Sequence, residues 1–257
     1  MKILVTGSAG FIGQNMVNAL RDEHDVITYD VRENGEHPPV EGLDWIVHLG
    51  AISSTTETNV EKVFHFNYDY SVFLLQEAVK HNVNFQWASS ASVYGNVSTT
   101  FREKDNLNPQ SPYAWSKFCF ERYIKTLSYD IMVQGFRYFN VYGPFEEHKG
   151  DQASPYHKFK KEYEKTGKIK LFDGSQNYRR DFVPVEKLIE IQKQFFNVKE
   201  SGVWNIGTGQ AKSFLDVAQT FTDNIEYIKM PDNIKKHYQK YTCADMTETN
   251  ATLDFYK

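Results

Sequence analysis

A glycine-rich turn near the start of the chain limits the fold more than any other feature. It follows the apolar run Ile3 to Thr6 and precedes a segment with helical apolar spacing, and its glycines are three apart at Gly7, Gly10 and Gly13. Gly7 allows a tight turn, Gly10 lets the backbone approach a pyrophosphate, and Gly13 lets the helix pack on the sheet. Phosphates are favoured at the N-terminus of such a helix. The stretch therefore predicts a strand, turn and helix that bind a dinucleotide.

Strand and helix patterns alternate after this unit. The apolar runs and helical spacings predict strands at 26–29, 44–49, 85–88, 131–136 and 203–207, and helices at 59–81, 111–128 and 185–196. Such alternation is typical of an α/β fold with a doubly wound parallel sheet, whose ligand site lies at the carboxyl ends of the strands. We therefore predict a Rossmann-like fold. The connection 31–42, rich in glycine and proline, is interpreted as a loop.

The rhythm changes beyond Arg137, which predicts a second, smaller domain. Residues 139–144 are interpreted as a loop, 152–166 as a helix that ends at Gly167, and 178–183 as the start of a strand. No linker or repeat separates these elements. We predict an NAD(P)-binding domain of residues 1–138 and 181–207, and a C-terminal substrate domain of 139–180 and 208–257. Ser213 and Asp216 have the spacing of a helix capping box.

The residues after the second strand give conflicting indications about the cofactor. Asp30 ends the strand and could accept hydrogen bonds from the adenosine ribose, which favours NAD. Arg32 could pair with a 2′-phosphate, which favours NADP. These observations leave the preference open. Gly50 and Ala51 follow the next strand and predict a second close approach of backbone to the cofactor.

Tyr113 and Lys117 form a Tyr-x-x-x-Lys pair that predicts acid–base chemistry. On a helix this spacing places both side chains on one face. We expect the Lys117 ammonium to lower the pKa of the Tyr113 phenol, so that the phenol can exchange a proton with a carbinol near neutral pH. Ser90, at the end of the preceding strand, could hydrogen-bond the same oxygen. Ser111 and Pro112 are suited to begin this helix.

Composition argues against several classes of function. The net charge of the chain is −4 and no basic run stands out, so a nucleic-acid partner is not expected. No apolar run reaches the roughly 20 residues of a membrane helix. Cys119 and Cys243 lack the spacing of metal ligands, and no metal is predicted. The chain starts without a signal-peptide pattern, so a reducing cytoplasm is the expected location.

Several motifs resemble the extended short-chain dehydrogenase/reductase family. They are 6–13, Ser90 with Tyr94, Tyr113 with Lys117, and 140–144. Longer stretches are similar to one group of that family, the ADP-L-glycero-D-manno-heptose 6-epimerases; these are 50–57, 135–150, 171–183 and 237–245. The resemblance covers nearly the whole chain. It implies a homo-oligomer with an interface on helices 59–81 and 111–128.

The resemblance implies a mechanism and a set of site residues. Bound NADP takes a hydride from C6″ of the heptose in a nucleotide-diphosphate sugar, and the ketone receives it back on its other face. Tyr113 and Lys149 are the implied acid–base groups on opposite sides, Ser90 polarises the oxygen, and Lys117 assists Tyr113. Implied cofactor contacts are Gly7, Gly10, Phe11, Ile12, Gly13, Asp30, Arg32, Leu49, Gly50, Ala51, Asn67, Tyr113 and Lys117. Implied substrate contacts are Ser53, Ser90, Asn140, Lys149, His157, Arg180 and Tyr238, with Arg180 on the diphosphate.

The chain departs from the family pattern in two places. Between Asp30 and His48 there is no room for the usual third strand and its helix, so we expect a sheet that is one strand short. The chain also stops at Lys257 without the final amphipathic helix of the family. Weaker cofactor binding or a changed oligomer is the expected consequence.

Two other functions stay open from the sequence. One is another nucleotide-sugar enzyme, a 4-epimerase or a 4,6-dehydratase; the dehydratase chemistry wants an Asp-Glu pair where this chain has Ala91 and Ser92. The other is a non-catalytic NAD(P)-binding protein, suggested by the missing segments. The presence of Ser90, Tyr113, Lys117 and Lys149 together argues against it.

Overall fold

A parallel sheet of six strands forms the centre of the computed structural model, which describes residues 1–35, 37–96, 99–231 and 239–257. The strands lie in the order β2-β1-β3-β4-β5-β9 and every neighbouring pair is parallel. They are β1 (Lys2–Thr6), β2 (Asp25–Tyr29), β3 (Trp45–His48), β4 (Asn84–Ser90), β5 (Val133–Tyr138) and β9 (Gly202–Ile206). The predicted Rossmann-like fold is confirmed.

Helices cover both faces of this sheet. The α-helices are α1 (Phe11–Leu20), α2 (Val31–Asn34), α3 (Val60–Phe64), α4 (Tyr70–Lys80), α5 (Pro112–Ile124), α6 (Pro155–Thr166), α7 (Val185–Gln194), α8 (Phe214–Ala218) and α9 (Thr247–Phe255). Short 3₁₀ segments occupy Ala91–Tyr94, Glu147–Gln152, Ser175–Asn177 and Phe195–Asn197. One buried apolar cluster on the α1 and α7 side contains Ile3, Met16 and Leu188, and another on the α4 and α5 side contains Leu4, Leu74 and Phe120.

Two smaller sheets lie outside the central one. β10 (Ala211–Ser213) pairs antiparallel with β8 (Arg179–Pro184), and β8 pairs parallel with β6 (Asn140–Tyr142). β7 (Ile169–Phe172) and β11 (Ile225–Ile228) form a parallel pair. β8 therefore belongs to a small sheet. The helix α9 packs against β9, where Trp204 Nε1 donates a hydrogen bond of 3.0 Å to Thr252 Oγ1. The exact domain boundaries stay a prediction.

The shortened unit predicted between Asp30 and His48 is reflected in the sheet. β2 is its outermost strand, and the described residues between β2 and β3 contain the single-turn helix α2 and no strand. Asp30 caps α2 by accepting the N–H of Arg32 at 3.2 Å, which is why this part of the predicted loop is helical. β6 likewise replaces part of the loop predicted at 139–144.

The long helix predicted at 59–81 contains a π-helical turn at His65–Asp69, between α3 and α4. α6 begins at Pro155, later than predicted, and ends at a left-handed Gly167 as predicted. The capping box of Ser213 and Asp216 is present and begins α8, which ends at Ala218. Within the described ranges, no helix has the length and apolarity needed to cross a membrane.

Candidate active site

A cavity of about 760 Å³ opens where the carboxyl ends of β1, β3, β4 and β5 meet. Strand ends in a parallel sheet collect their loops on one edge, which is where such folds bind ligands. The structure brings sixteen of the predicted site residues to its wall: Gly7, Gly10, Phe11, Ile12, Gly13, Asp30, Arg32, Leu49, Gly50, Ala51, Ser53, Ser90, Tyr113, Lys117, Asn140 and Lys149. Residues separated by more than a hundred positions in sequence thus share one cavity.

Three of the predicted residues that the structure describes, Asn67, His157 and Arg180, do not line this cavity. Asn67 is fully buried beneath it, and His157 lies in the first turn of α6. Arg180 is buried elsewhere; it donates to the carbonyls of Arg179 and Gln239 and lies over the Phe214 ring. Tyr238 lies outside the described residues. Direct contact of Arg180 with a diphosphate therefore lacks support from this geometry.

The glycine turn has the shape that a dinucleotide requires. Gly7 has a φ of +68°, and a Cβ on it would stand 2.5 Å from the Gly50 backbone nitrogen. A Cβ on Gly13 would stand 2.0 Å from the Gly7 carbonyl oxygen, so the helix can approach the turn only with glycine there. Gly10 caps α1 without a side-chain hydrogen bond, which leaves first-turn N–H groups for an anion. The residues present thus fit a nicotinamide dinucleotide.

Ser90, Tyr113 and Lys117 meet at the ends of β4 and α5. Ser111 caps α5 by accepting the N–H of Ala114 at 3.2 Å, and Pro112 occupies the first turn, as predicted. This start places Tyr113 one turn before Lys117, which is 2% exposed. The Ser90 side chain lies close enough to the Tyr113 phenol to lower its pKa. The three side chains therefore form one group at the cavity wall.

The electrostatics of this group differ from the expectation. Burial raises the pKa of the Tyr113 phenol, and the hydrogen bond with Ser90 acts in the opposite sense. The expected lowering of the Tyr113 pKa is not seen, because burial of the phenol is the larger influence. Burial also lowers the pKa of the Lys117 amine to about 8, so the amine is still mostly protonated at neutral pH.

A buried polar chain lies behind Lys117 and links three elements. Thr6 Oγ1 is 2.6 Å from His48 Nδ1, and His48 Nε2 is 2.9 Å from Ser71 Oγ. Ser71 donates its hydrogen to the Asn67 carbonyl at 2.7 Å, so His48 donates from Nε2 and accepts from Thr6 at Nδ1. Burial, reinforced by the charge of Lys117, lowers the pKa of His48 to about 3. His48 is therefore a neutral residue that joins β1, β3 and α4.

Asn67 supports the cavity wall from below. Its side chain accepts the N–H of Ile52 at 2.7 Å and donates to the Ile52 carbonyl at 3.0 Å and to Ser116 at 3.1 Å. Ile52 lines the cavity. The π-helical turn projects Asn67 toward this loop, and such turns are frequent at functional sites. Asn67 thus holds the wall in place, instead of lining the cavity as a cofactor contact would.

Lys149 enters the cavity from the 3₁₀ segment that follows β6. Its ammonium lies 5.0 Å from the centre of the Phe11 ring, in cation–π geometry. Burial lowers the pKa of Lys149, and the charge of Lys158 adds to this while that of Glu146 opposes it. Lys149 is therefore a partly buried base on the wall formed by the glycine turn. This geometry favours the catalytic interpretation over that of a solvated loop lysine.

Other residues line the cavity without having been predicted from sequence. They include His148, Gln152 and Ser154 from the segment around Lys149, Phe66 and Tyr70 from the helix with the π turn, and Tyr138 from the end of β5. Ser54 and Thr55 lie in a loop at the cavity. No spacing in the sequence marks any of these residues as part of a site.

Comparisons with known proteins agree with this site. Residues 3–207 match the model of the NAD dependent epimerase/dehydratase family. ADP-L-glycero-D-manno-heptose-6-epimerases of Alkalilimnicola ehrlichii and Brachyspira hyodysenteriae are each 36% identical over 97% of this chain, which spans 90% and 91% of those proteins. The corresponding enzyme of Helicobacter pylori is 28% identical, with a TM-score of 0.88 over 100% of this chain and 90% of that one.

A more distant structure shares only the fold. The UDP-N-acetylglucosamine 4-epimerase of Methanobrevibacter ruminantium has a TM-score of 0.88 at 23% identity, over 99% of this chain and 92% of that one. The resemblance to extended short-chain dehydrogenases/reductases that the motifs indicated is confirmed. The chain belongs to the NAD dependent epimerase/dehydratase family.

Proposed function

We propose that the protein interconverts ADP-D-glycero-D-manno-heptose and ADP-L-glycero-D-manno-heptose by transient oxidation at C6″. The observation that carries the proposal is the placement of Tyr113 and Lys149, two groups able to move protons, on one cavity with a dinucleotide turn. They come from different elements, α5 and the segment after β6. The 36% identity to heptose epimerases over 97% of the chain supports the choice of sugar.

The residues divide the acid–base work as follows. The glycine turn at Gly7, Gly10 and Gly13 would hold a nicotinamide dinucleotide, which would supply the hydride acceptor for C6″. Tyr113 would remove the proton of the C6″ hydroxyl from one side, while Ser90 would hydrogen-bond the same oxygen. Lys149 would donate a proton to that oxygen when the other face of the ketone is presented. Lys117 would orient Tyr113 and hold the nicotinamide ribose.

A direct experiment tests the activity. Intact protein is incubated with ADP-D-glycero-D-manno-heptose, and the nucleotide released from denatured protein is identified by mass spectrometry. We expect bound NADP and formation of the L-glycero epimer. Cofactor without conversion of the heptose would contradict the proposed substrate and favour another nucleotide sugar or a binding role.

We propose NADP as the cofactor because of the arrangement of Asp30 and Arg32. Arg32 Nε lies 2.7 Å from Asp30 Oδ1, and Arg32 Nη2 lies 2.8 Å from Oδ2. This pairing holds the pKa of Asp30 below its ordinary value and engages both carboxylate oxygens. The Arg32 side chain is still 64% exposed, so it can also meet a 2′-phosphate.

Replacing Arg32 by alanine is expected to weaken NADP binding roughly 10–100-fold relative to NAD, the loss typical of one charge-assisted hydrogen bond. Fluorescence titration of nucleotide-free protein with both cofactors measures this ratio. Arg21→Ala is a matched control, because Arg21 is exposed at the end of α1 and does not line the cavity. Equal weakening of NAD and NADP by Arg32→Ala would contradict the NADP assignment.

We also propose a homo-oligomer that uses the outer face of α5 and the neighbouring helices α3 and α4. Gln76 on α4 donates to Tyr123 on α5 at 3.0 Å, so these helices form one surface. Trp115 on α5 is 46% exposed and packs edge-on against Phe118. Light scattering at assay concentration should give at least twice the mass of one chain, and a monomer would contradict this interface.

A further inference from the structure

Glu146 is a buried acid close to the cavity that the proposed chemistry leaves without a role. It is 1% exposed, and among the described residues every hydrogen bond of its carboxylate comes from an N–H or O–H donor. The N–H of Gly143 donates to Oε1 at 3.0 Å, the N–H of Ser154 to Oε2 at 2.6 Å, and the Ser154 hydroxyl to Oε1 at 2.7 Å. A carboxylate is rarely buried unless it is fully hydrogen-bonded, so its place is specified by these contacts.

These bonds close the segment that carries Lys149. Gly143 stands where β6 ends, and Ser154 is the residue that caps α6. Glu146 therefore joins both ends of the loop between them. Within the loop, the Lys149 N–H also donates a hydrogen bond of 2.9 Å to the Glu146 carbonyl. The backbone of Lys149 is fixed relative to β6 and α6 through this one acidic residue.

The charges around Lys149 give Glu146 a second effect. The Lys149 ammonium faces the Phe11 ring of the glycine turn, and burial is the largest influence that disfavours its charge. Lys158 on α6 disfavours it as well, and Glu146 favours it. His148 and Asp151 flank Lys149 on the same segment, but neither contributes a resolved influence on it.

We propose that Glu146 is a positioning residue, whose carboxylate closes the loop that carries Lys149 and so holds Lys149 at the cavity wall. This inference rests on the proposed function, in which Lys149 donates a proton on one side of the sugar. A residue at position 146 that cannot accept all three hydrogen bonds would leave a buried donor unpaired and release the loop. Glu146 would thus supply the place that this step needs, while its charge also favours the protonated amine.

The test is the rate at which acetic anhydride labels Lys149, followed by mass spectrometry over a range of pH. The rate follows the accessibility of the neutral amine and requires no turnover, so it is informative even if the heptose is the wrong substrate. In Glu146→Gln we expect labelling at pH 7.5 to rise roughly 3–10-fold, because the amide nitrogen cannot accept a hydrogen bond, so the loop is released, and because an opposite charge is removed. The matched control is Glu147→Gln, since Glu147 is adjacent but exposed, and its labelling should equal wild type.

A second variant keeps the charge and changes the hydrogen-bonding geometry. Glu146→Asp is one methylene shorter, so it cannot reach both Gly143 and Ser154, and its labelling should also rise above that of wild type. Wild-type labelling in Glu146→Gln would overturn the proposal, and so would wild-type labelling in Glu146→Asp. If Glu146→Gln does not fold, the aspartate variant decides by the same criterion.

Discussion

Replacing Tyr113 by phenylalanine is expected to lower turnover roughly 10²–10⁴-fold, the factor that a positioned general acid or base typically contributes. The change removes only the hydroxyl, which lies beside Ser90 at the cavity wall. The ring stays, so the nucleotide should remain bound. Conversion of ADP-D-glycero-D-manno-heptose and the nucleotide content of purified protein are the two measurements.

Tyr123→Phe is the matched control for this variant. Tyr123 lies on the same helix, α5, but its hydroxyl accepts a hydrogen bond from Gln76 away from the cavity. We expect the control to turn over at the wild-type rate. Near wild-type activity in Tyr113→Phe, with the control also active, would contradict the acid–base role of Tyr113.

Replacing Lys149 by methionine should cost turnover on a similar scale, roughly 10²–10⁴-fold, because the second side of the sugar loses its proton donor. Methionine keeps much of the length and can still cover the Phe11 ring. The glycine turn and Tyr113 are untouched, so cofactor binding should persist. Steady-state kinetics and nucleotide content together distinguish a loss of chemistry from a loss of fold.

Lys161→Met is a suitable control, since Lys161 is an exposed lysine of α6 that does not line the cavity. Its activity should equal wild type. Full activity in Lys149→Met would contradict the mechanism with acid–base groups on both sides of the sugar. It would favour a 4-epimerase, whose chemistry does not need a lysine at this position.

Local signals in the sequence were sufficient for most of the fold. The glycine turn, the Ser111–Pro112 helix start and the Ser213 capping box each depend on a few neighbouring residues, and the structure contains all three. The missing unit after Asp30 could also be predicted, because chain length alone excludes another strand and helix there. Structural features that depend on neighbouring residues leave a pattern in the sequence from which they can be predicted.

Features that depend on tertiary surroundings were not predictable in the same way. The π-helical turn has no spacing of its own, and its stability comes from the bonds of Asn67 to Ile52 and Ser116. The direction of the Tyr113 pKa depends on burial, which a helix-face argument does not contain. Arg180 was expected at a diphosphate, but the fold buries it over Phe214. Glu146 carried no motif at all.

The position of β2 explains how a chain of this family can be shorter by a whole strand and helix. In the usual order of such a sheet the third strand is the outermost one, next to the second. Its removal breaks pairing with one neighbour only, and the register of β1 with β2 and with β3 is complete here. The outermost strand of a parallel sheet can thus be lost without disrupting the pairing of the other strands. A deletion of the same size in β3 or β4 would instead split the sheet and separate the turn that holds phosphates from the tyrosine that moves protons.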